Sequence, residues 1–230
     1  MRAFVRSTGI MILLLLQAHV SSAQTSVRVK PESVGLSSAR LARIDRTVQA
    51  WVDGGKIAGA VTLVERRGKT AHVGVHGFQD REAKTPMRED SIFAIMSMTK
   101  PITSLAVLML YEEGKFLLTD PISKYIPAFA DVKVIAPGSE NFDGAGDPPT
   151  VKLETPVTIR HLLLHTAGLS YGSGVQRRLY RSAGVFDMLA PEHTVAEFTQ
   201  AIAKVPLLFQ PGASYRYSYS DDVLGYLVEI

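Results

Sequence analysis

The chain has 230 residues, 46% hydrophobic and 20% charged, which is enough apolar side chain for a sizeable core and too much for general disorder. It contains no cysteine, which excludes thiol nucleophiles, disulfides and cysteine-ligated zinc. The formal net charge is +3, and no basic stripe interleaved with aromatics runs along the chain, so nucleic acid is excluded as a partner.

Residues 1–23 have the layout of a secretory signal peptide. Arg2 and Arg6 give a positive start, Gly9 to Leu16 an apolar run, and Ser21-Ser22-Ala23 a small-residue exit with cleavage expected after Ala23. Cleavage removes two arginines and no acid, leaving 3 − 2 = +1. The apolar run is short for a membrane span and no later run reaches the ~20 residues needed. A periplasmic or secreted protein without a stable membrane anchor is therefore expected, and the lack of cysteine excludes a lipid-modified N-terminus.

Residues 24–35 read as a linker and 36–230 as one domain. The stretch SSARLARIDRTVQAWVDGG predicts an amphipathic helix with Leu41, Ile44, Val48, Trp51 and Val52 on one face, capped by Ser37 or Ser38 and ended by Gly54. GAVTLVERRGKTAHVGVHG predicts two strands joined by a tight turn at Arg67-Gly68-Lys69, with Val61, Leu63, Ala71, Val73 and Val75 facing the core. A helix from Met98 to Glu113, apolar nearly all round, is expected to be buried. DPISKYIP reads as a turn and short helix, and residues 131–156, rich in Gly, Pro and Asp, as an exposed loop. TIRHLLLHTAGLSYG predicts a short helix stopped by glycine. Thr194 and Glu197 form a capping box ahead of another helix, and a last helix starts near Asp221.

Chemistry concentrates in IMSMTKPIT, Ile95 to Thr103. Ser97 and Lys100 stand three apart, on one face of a helix, so the amine can reach the hydroxyl. At the ordinary lysine pKa only about one amine in a few thousand is neutral at pH 7. Burial in an apolar setting and the positive end of a helix both favour the neutral form, which alone accepts a proton. Pro101 lacks an N–H and is tolerated only near a helix start, which places Ser97 at the helix N-terminus, where amides can stabilise an oxyanion. His161 and His165 have a zinc-compatible spacing, but no glutamate follows the first histidine and the residues between are core-like, so packing is the reading. The glycine-rich segment with Asp143 and Asp147 lacks the spacing of a calcium loop. Metal and cofactor are both expected to be absent.

Three blocks in order, the one around IMSMTKPIT, TPVTIRHLLLHTAGLSYG and FQPGASYRYSYSDDVLGYLVEI, resemble the serine β-lactamase-like family, from about Val34 to the last residue. That family includes class C β-lactamases, DD-peptidases and esterases. The resemblance implies an α/β (α+β) fold, an antiparallel sheet flanked by a helical region. It also implies that Ser97 is the acylated nucleophile, Lys100 the proton acceptor and Tyr217 a proton relay. Tyr217 follows Ser97 by 217 − 97 = 120 residues, as in the esterase and class C branches. The third position of the Tyr-x-Asn motif is Tyr219 here, which tilts the expected substrate from a β-lactam toward a short-chain carboxylic ester. Tyr171 and Tyr219 are candidates to line the substrate pocket. The family's third motif lies far downstream of Tyr217, whereas this sequence stops thirteen residues after it, so an N-terminal portion of a hydrolase is expected. The rival expectations are a β-lactamase or DD-peptidase-like protein, a penicillin sensor that is acylated without turnover, and an inactive fragment.

Overall fold

The computed structural model describes residues 26–144, 146–172, 174–185 and 193–230, so the expected signal peptide lies outside the described residues. The chain divides into two compact units, Met1–Phe93 and Ala94–Ile230.

In the first unit, helix α1 (Ser38–Asp53) begins where the Ser37 hydroxyl accepts the Arg40 amide and ends at Gly54. Strands β1 (Gly59–Arg66) and β2 (Lys69–Asp80) pair antiparallel, and the two-residue β3 (Thr85–Pro86) adds to β2. The hairpin loop places Arg67 and Gly68 at φ 54° and 67°, the paired left-handed conformation that matches the twist of the flanking strands. The predicted strands are present, but of the five residues expected to face the core only Ala71 is buried, Val61 and Val73 are half-buried, and α1 covers the opposite face. Val61 pairs with Val75 and Leu63 with Val73, yet Leu63 is 60% and Val75 40% exposed. Helix α1 packs on the other face, where Asp45 Oδ1 lies 3.3 Å from His72 Nε2 and 3.2 Å from His76 Nε2. Gly74 leaves room for this approach, because a Cβ there would stand 2.5 Å from Asp45 Oδ1. The helix docks where the sheet lacks a side chain. Alternation separates the two faces of a hairpin but does not say which one is covered. Of the predicted helical stripe, Val48 is buried and Trp51 exposed.

The second unit is mainly helical. A 3-10 turn (Met96–Met98) runs into α2 (Thr99–Glu112), followed by two 3-10 turns, Ile122–Lys124 and Pro127–Phe129. Strands β4 (Val134–Ile135) and β5 (Thr150–Val151) form a small antiparallel pair. Helices α3 (Ile159–Leu163), α4 (Gln176–Ser182), α5 (Val195–Ala203) and α6 (Ser220–Glu229) complete it. The core is built from Ile122, Ile126, Phe129, Ile135, Ile159, Leu162, Leu169, Ile202, Leu207 and Leu224. Helix α6 packs against α2, α3 and α5.

Two expectations are corrected here. Val132, Val134 and Ile135 are buried, so residues 131–156 are not simply an exposed loop. Ile135 donates its amide to the Leu207 carbonyl at 2.8 Å, and Leu207 donates to the Lys133 carbonyl at 2.8 Å. The apolar run in DVKVI is too short to stand out beside the Gly, Pro and Asp that follow it. Helix α2 is not buried all round. Val107 is fully covered, whereas Ile102, Leu105, Leu108 and Met109 are 60, 59, 44 and 55% exposed. Among the described residues α6 covers only one side of a helix whose composition suits burial on several.

A buried polar network holds the loop after α3. Gln176 is fully buried, accepts the Ser170 hydroxyl at 2.6 Å and donates to the Pro206 carbonyl at 2.6 Å. Ser170 Oγ in turn accepts the Gly172 amide at 2.9 Å, which fixes the backbone on either side of Tyr171.

Two substitutions test this packing. Gly77 has φ 70°, and a Cβ there would meet the Ala58 carbonyl and stand 2.9 Å from Val52 Cγ1. Gly77→Ala is expected to destabilise by about 2 kcal/mol or more, lowering a thermal midpoint followed by circular dichroism. Gln176→Ala removes a buried hydrogen-bonding partner of Ser170 and Pro206, with an expected loss of about 1–3 kcal/mol in a urea titration. An unchanged midpoint in either variant contradicts the packing described.

Candidate active site

The residue before Ser97 has an unusual backbone. Met96 has φ 49°, a left-handed conformation that costs a non-glycine residue about 1–2 kcal/mol. The chain turns there, runs through the 3-10 turn that contains Ser97, and enters α2 with Lys100 as its second residue. Pro101 is the third residue of α2, a position where an amide has no intrahelical carbonyl to meet. Ser97 is exposed. It lines a cavity of about 450 Å³ together with Lys100, Thr103, Tyr171, Asp221 and Asp222.

Tyr217 arrives from the segment ahead of α6. Helix α3 is capped by Thr158, whose hydroxyl accepts the His161 amide while His161 Nδ1 accepts the Thr158 amide, each at 3.2 Å. The chain reverses after α3 with His165 at φ 53°, so the helix stops at a left-handed histidine rather than at the expected glycine. The His165 carbonyl accepts the Arg216 amide at 2.8 Å, tying the two segments together. The Tyr217 ring then lies 4.7 Å from the His165 ring and 5.5 Å from the Tyr171 ring, centroid to centroid. Lys100 Nζ stands 5.1 Å from the centre of the Tyr217 ring and 5.6 Å from that of Tyr171, within cation–π range.

Tyr219 takes a different place. It is 8% exposed, with ring centroids 4.5 Å from Tyr171, 5.5 Å from Tyr180 and 5.2 Å from Phe198, all nearly perpendicular. It packs behind Tyr171 and supports that ring from the core side, and it is not among the residues lining the cavity.

Two ionisable side chains beside Lys100, Asp221 and Asp222, were not singled out from the sequence as site residues, and a third, His165, was read there as packing. Asp221 Oδ2 lies 3.8 Å from Lys100 Nζ and 3.3 Å from His165 Nε2. Asp221 and Asp222 occupy the first turn of α6, where the helix dipole favours a carboxylate. Burial raises the pKa of both aspartates, against the pull of Lys100. Burial also lowers that of His165, against the pull of Asp221. A pair of aspartates at a helix start ordinarily reads as dipole compensation, and a histidine after LLL as packing, so neither pattern carried a signal.

Lys100 departs from expectation. Burial pushes its pKa down as anticipated, but the hydrogen bond from its amine to Tyr171 and the charges of Tyr171, Asp221 and Tyr217 together outweigh burial. The ammonium is held above the ordinary lysine value, because the pocket is lined with phenols and carboxylates rather than with apolar groups alone. Among the described residues, no group of three or more His, Cys, Asp or Glu side chains is arranged to hold a metal ion.

The Beta-lactamase family model matches residues 44–230. Esterase EstB of Burkholderia gladioli is 36% identical over 211 residues, covering 89% of this chain and 49% of the relative. Lovastatin esterase of Penicillium rubens is 29% identical over 194 residues, covering 81% of this chain and 46% of the relative. Among solved structures, EstCE1, a hydrolase with promiscuous acyltransferase activity, superposes with a TM-score of 0.66 at 33% identity, over 83% of this chain and 47% of that one. Simvastatin synthase LovD of Aspergillus terreus gives a TM-score of 0.66 at 25% identity, over 84% of this chain and 49% of that one. The chain thus spans about half the length of the curated relatives it matches. With a family model covering most of its length and fold neighbours among esterases and acyltransferases, this chain belongs to the beta-lactamase family.

Proposed function

We propose that the protein is a serine hydrolase that cleaves carboxylic esters through an acyl-enzyme on Ser97. The single observation that carries this reading is the convergence of Ser97, Lys100 and Tyr171 on one cavity, with the Tyr217 ring 5.1 Å from Lys100 Nζ. The Ser97 oxygen attacks the ester carbonyl and its proton passes to Lys100 in the neutral form. Tyr217 relays a proton to the departing alkoxide, so the C–O bond breaks and an alcohol leaves. Water then attacks the acyl-enzyme, releasing the acid and restoring the Ser97 hydroxyl. Resemblance to EstB and lovastatin esterase favours an ester. A β-lactam is the alternative, and it is disfavoured by Tyr219 at the third position of the Tyr-x-Asn motif. Export is part of the same proposal, resting on the layout of residues 1–23. Among the described residues no helix is long and apolar enough to cross a membrane.

Turnover of a short-chain p-nitrophenyl ester, compared with a chromogenic cephalosporin, tests the reading. Ester hydrolysis that Ser97→Ala abolishes and cephalosporin hydrolysis at least tenfold weaker are expected, and the reverse preference refutes the ester assignment. Tyr217→Phe should lower kcat by about 10²–10⁴, the usual value of a positioned acid–base group. Because the neighbours of Lys100 raise its pKa, its neutral form is populated only toward alkaline pH. The acylation rate is therefore expected to climb steadily from neutral pH upward. A rate that is flat from neutral pH upward would rule out Lys100 as the proton acceptor.

A further inference from the structure

Asp221 Oδ2 is buried, and among the described residues it forms no hydrogen bond, yet it stands within ion-pair distance of both Lys100 Nζ and His165 Nε2. The Asp221 side chain is 11% exposed, and those of Lys100 and His165 are 17 and 13% exposed. A carboxylate oxygen so placed acts through charge more than through directed hydrogen bonds. The titratable groups that face Lys100 are Tyr171 from the loop after α3, Tyr217 and His165 from the two tied segments, and Asp221 and Asp222 from α6. Asp222 stands beside Asp221 as a second half-buried carboxylate, but of the two only Asp221 is within ion-pair distance of the amine.

We propose that Asp221 is a positioning residue, which fixes the Lys100 amine between Tyr171 and Tyr217 and sets the pH at which that amine gives up its proton. The part of this that concerns catalysis rests on the acyl-enzyme reading above. His165 is the third member of the arrangement. Burial keeps its imidazole neutral at neutral pH, so Asp221 there answers the charge of Lys100 alone. The Ser218 hydroxyl, 3.4 Å from His165 Nδ1 and 2.8 Å from Ser220 Oγ, holds the ring in place.

The test is an NMR titration of the lysine ε-carbon in the full chain, with Lys100 assigned by the loss of its signal in Lys100→Arg. Asp221→Asn should move the Lys100 midpoint to lower pH. Across about 4 Å, Coulomb's law even at the dielectric of water corresponds to about a fivefold larger neutral fraction at a given pH. Asp221→Glu, which keeps the charge, should stay closer to the parent. A Lys100 midpoint unmoved in Asp221→Asn overturns the proposal. If that variant does not fold, the parent chain alone decides. The Lys100 signal must then show a minor inflection at the pH where the Asp221 carboxyl carbon titrates, and its absence overturns the proposal equally. The signal needs no turnover, so this result is separate from success or failure of ester hydrolysis.

Discussion

A lysine ammonium taken largely out of water must be met by opposite charge and hydrogen bonds, or else lose its proton. At Lys100 the first solution prevails. Two tyrosines flank the amine, Asp221 stands 3.8 Å away, and the net effect is a cation held more firmly than a free lysine. Each of these partners comes from a different part of the second unit, so the path of the chain between Gly168 and Asp222 follows from the need to gather them. The loop bearing Tyr171 is pinned by Gln176, the segment bearing Tyr217 by the His165 carbonyl, and the carboxylates by the start of α6.

Helix α6 links stability to the site. Its apolar residues Val223, Leu224 and Leu227 are buried, while its first turn delivers Asp221 and Asp222 to the cavity. Immediately before it, Tyr219 fills an aromatic cluster with Tyr171, Tyr180 and Phe198. The tyrosine-rich stretch therefore does two jobs at alternate positions. Tyr217 faces Lys100 and Tyr219 anchors the wall behind Tyr171. A residue in that anchoring place need not be polar, which fits the replacement of the motif's asparagine.

Much of this architecture was legible in the sequence. The Ser37 cap, the Arg67-Gly68 turn and the Thr194–Glu197 capping box follow from local side-chain chemistry, and each is found where expected. Properties set by tertiary context were not legible. Alternation in the hairpin separated two faces, but it did not report the close approach of Asp45 over Gly74 on the more polar one, which α1 covers. The apolar composition of α2 suited burial, and composition does not reveal that α6 covers one side only. At the site, the spacing of Ser97 and Lys100 marked the pair as a candidate, and their expected roles came from the resemblance of three blocks to the family. The protonation of Lys100 depended on partners as far along the chain as Asp221, and no local pattern reports them. Helix α4 and the β4–β5 pair also went unread, since both are short and their registry depends on long-range contacts such as that of Ile135 with Leu207.

Activation of Ser97 as a nucleophile can be read from intact-mass analysis after exposure to a fluorophosphonate. A single covalent adduct is expected on the parent chain and none on Ser97→Ala. Equal labelling of both, or labelling of neither, would contradict it.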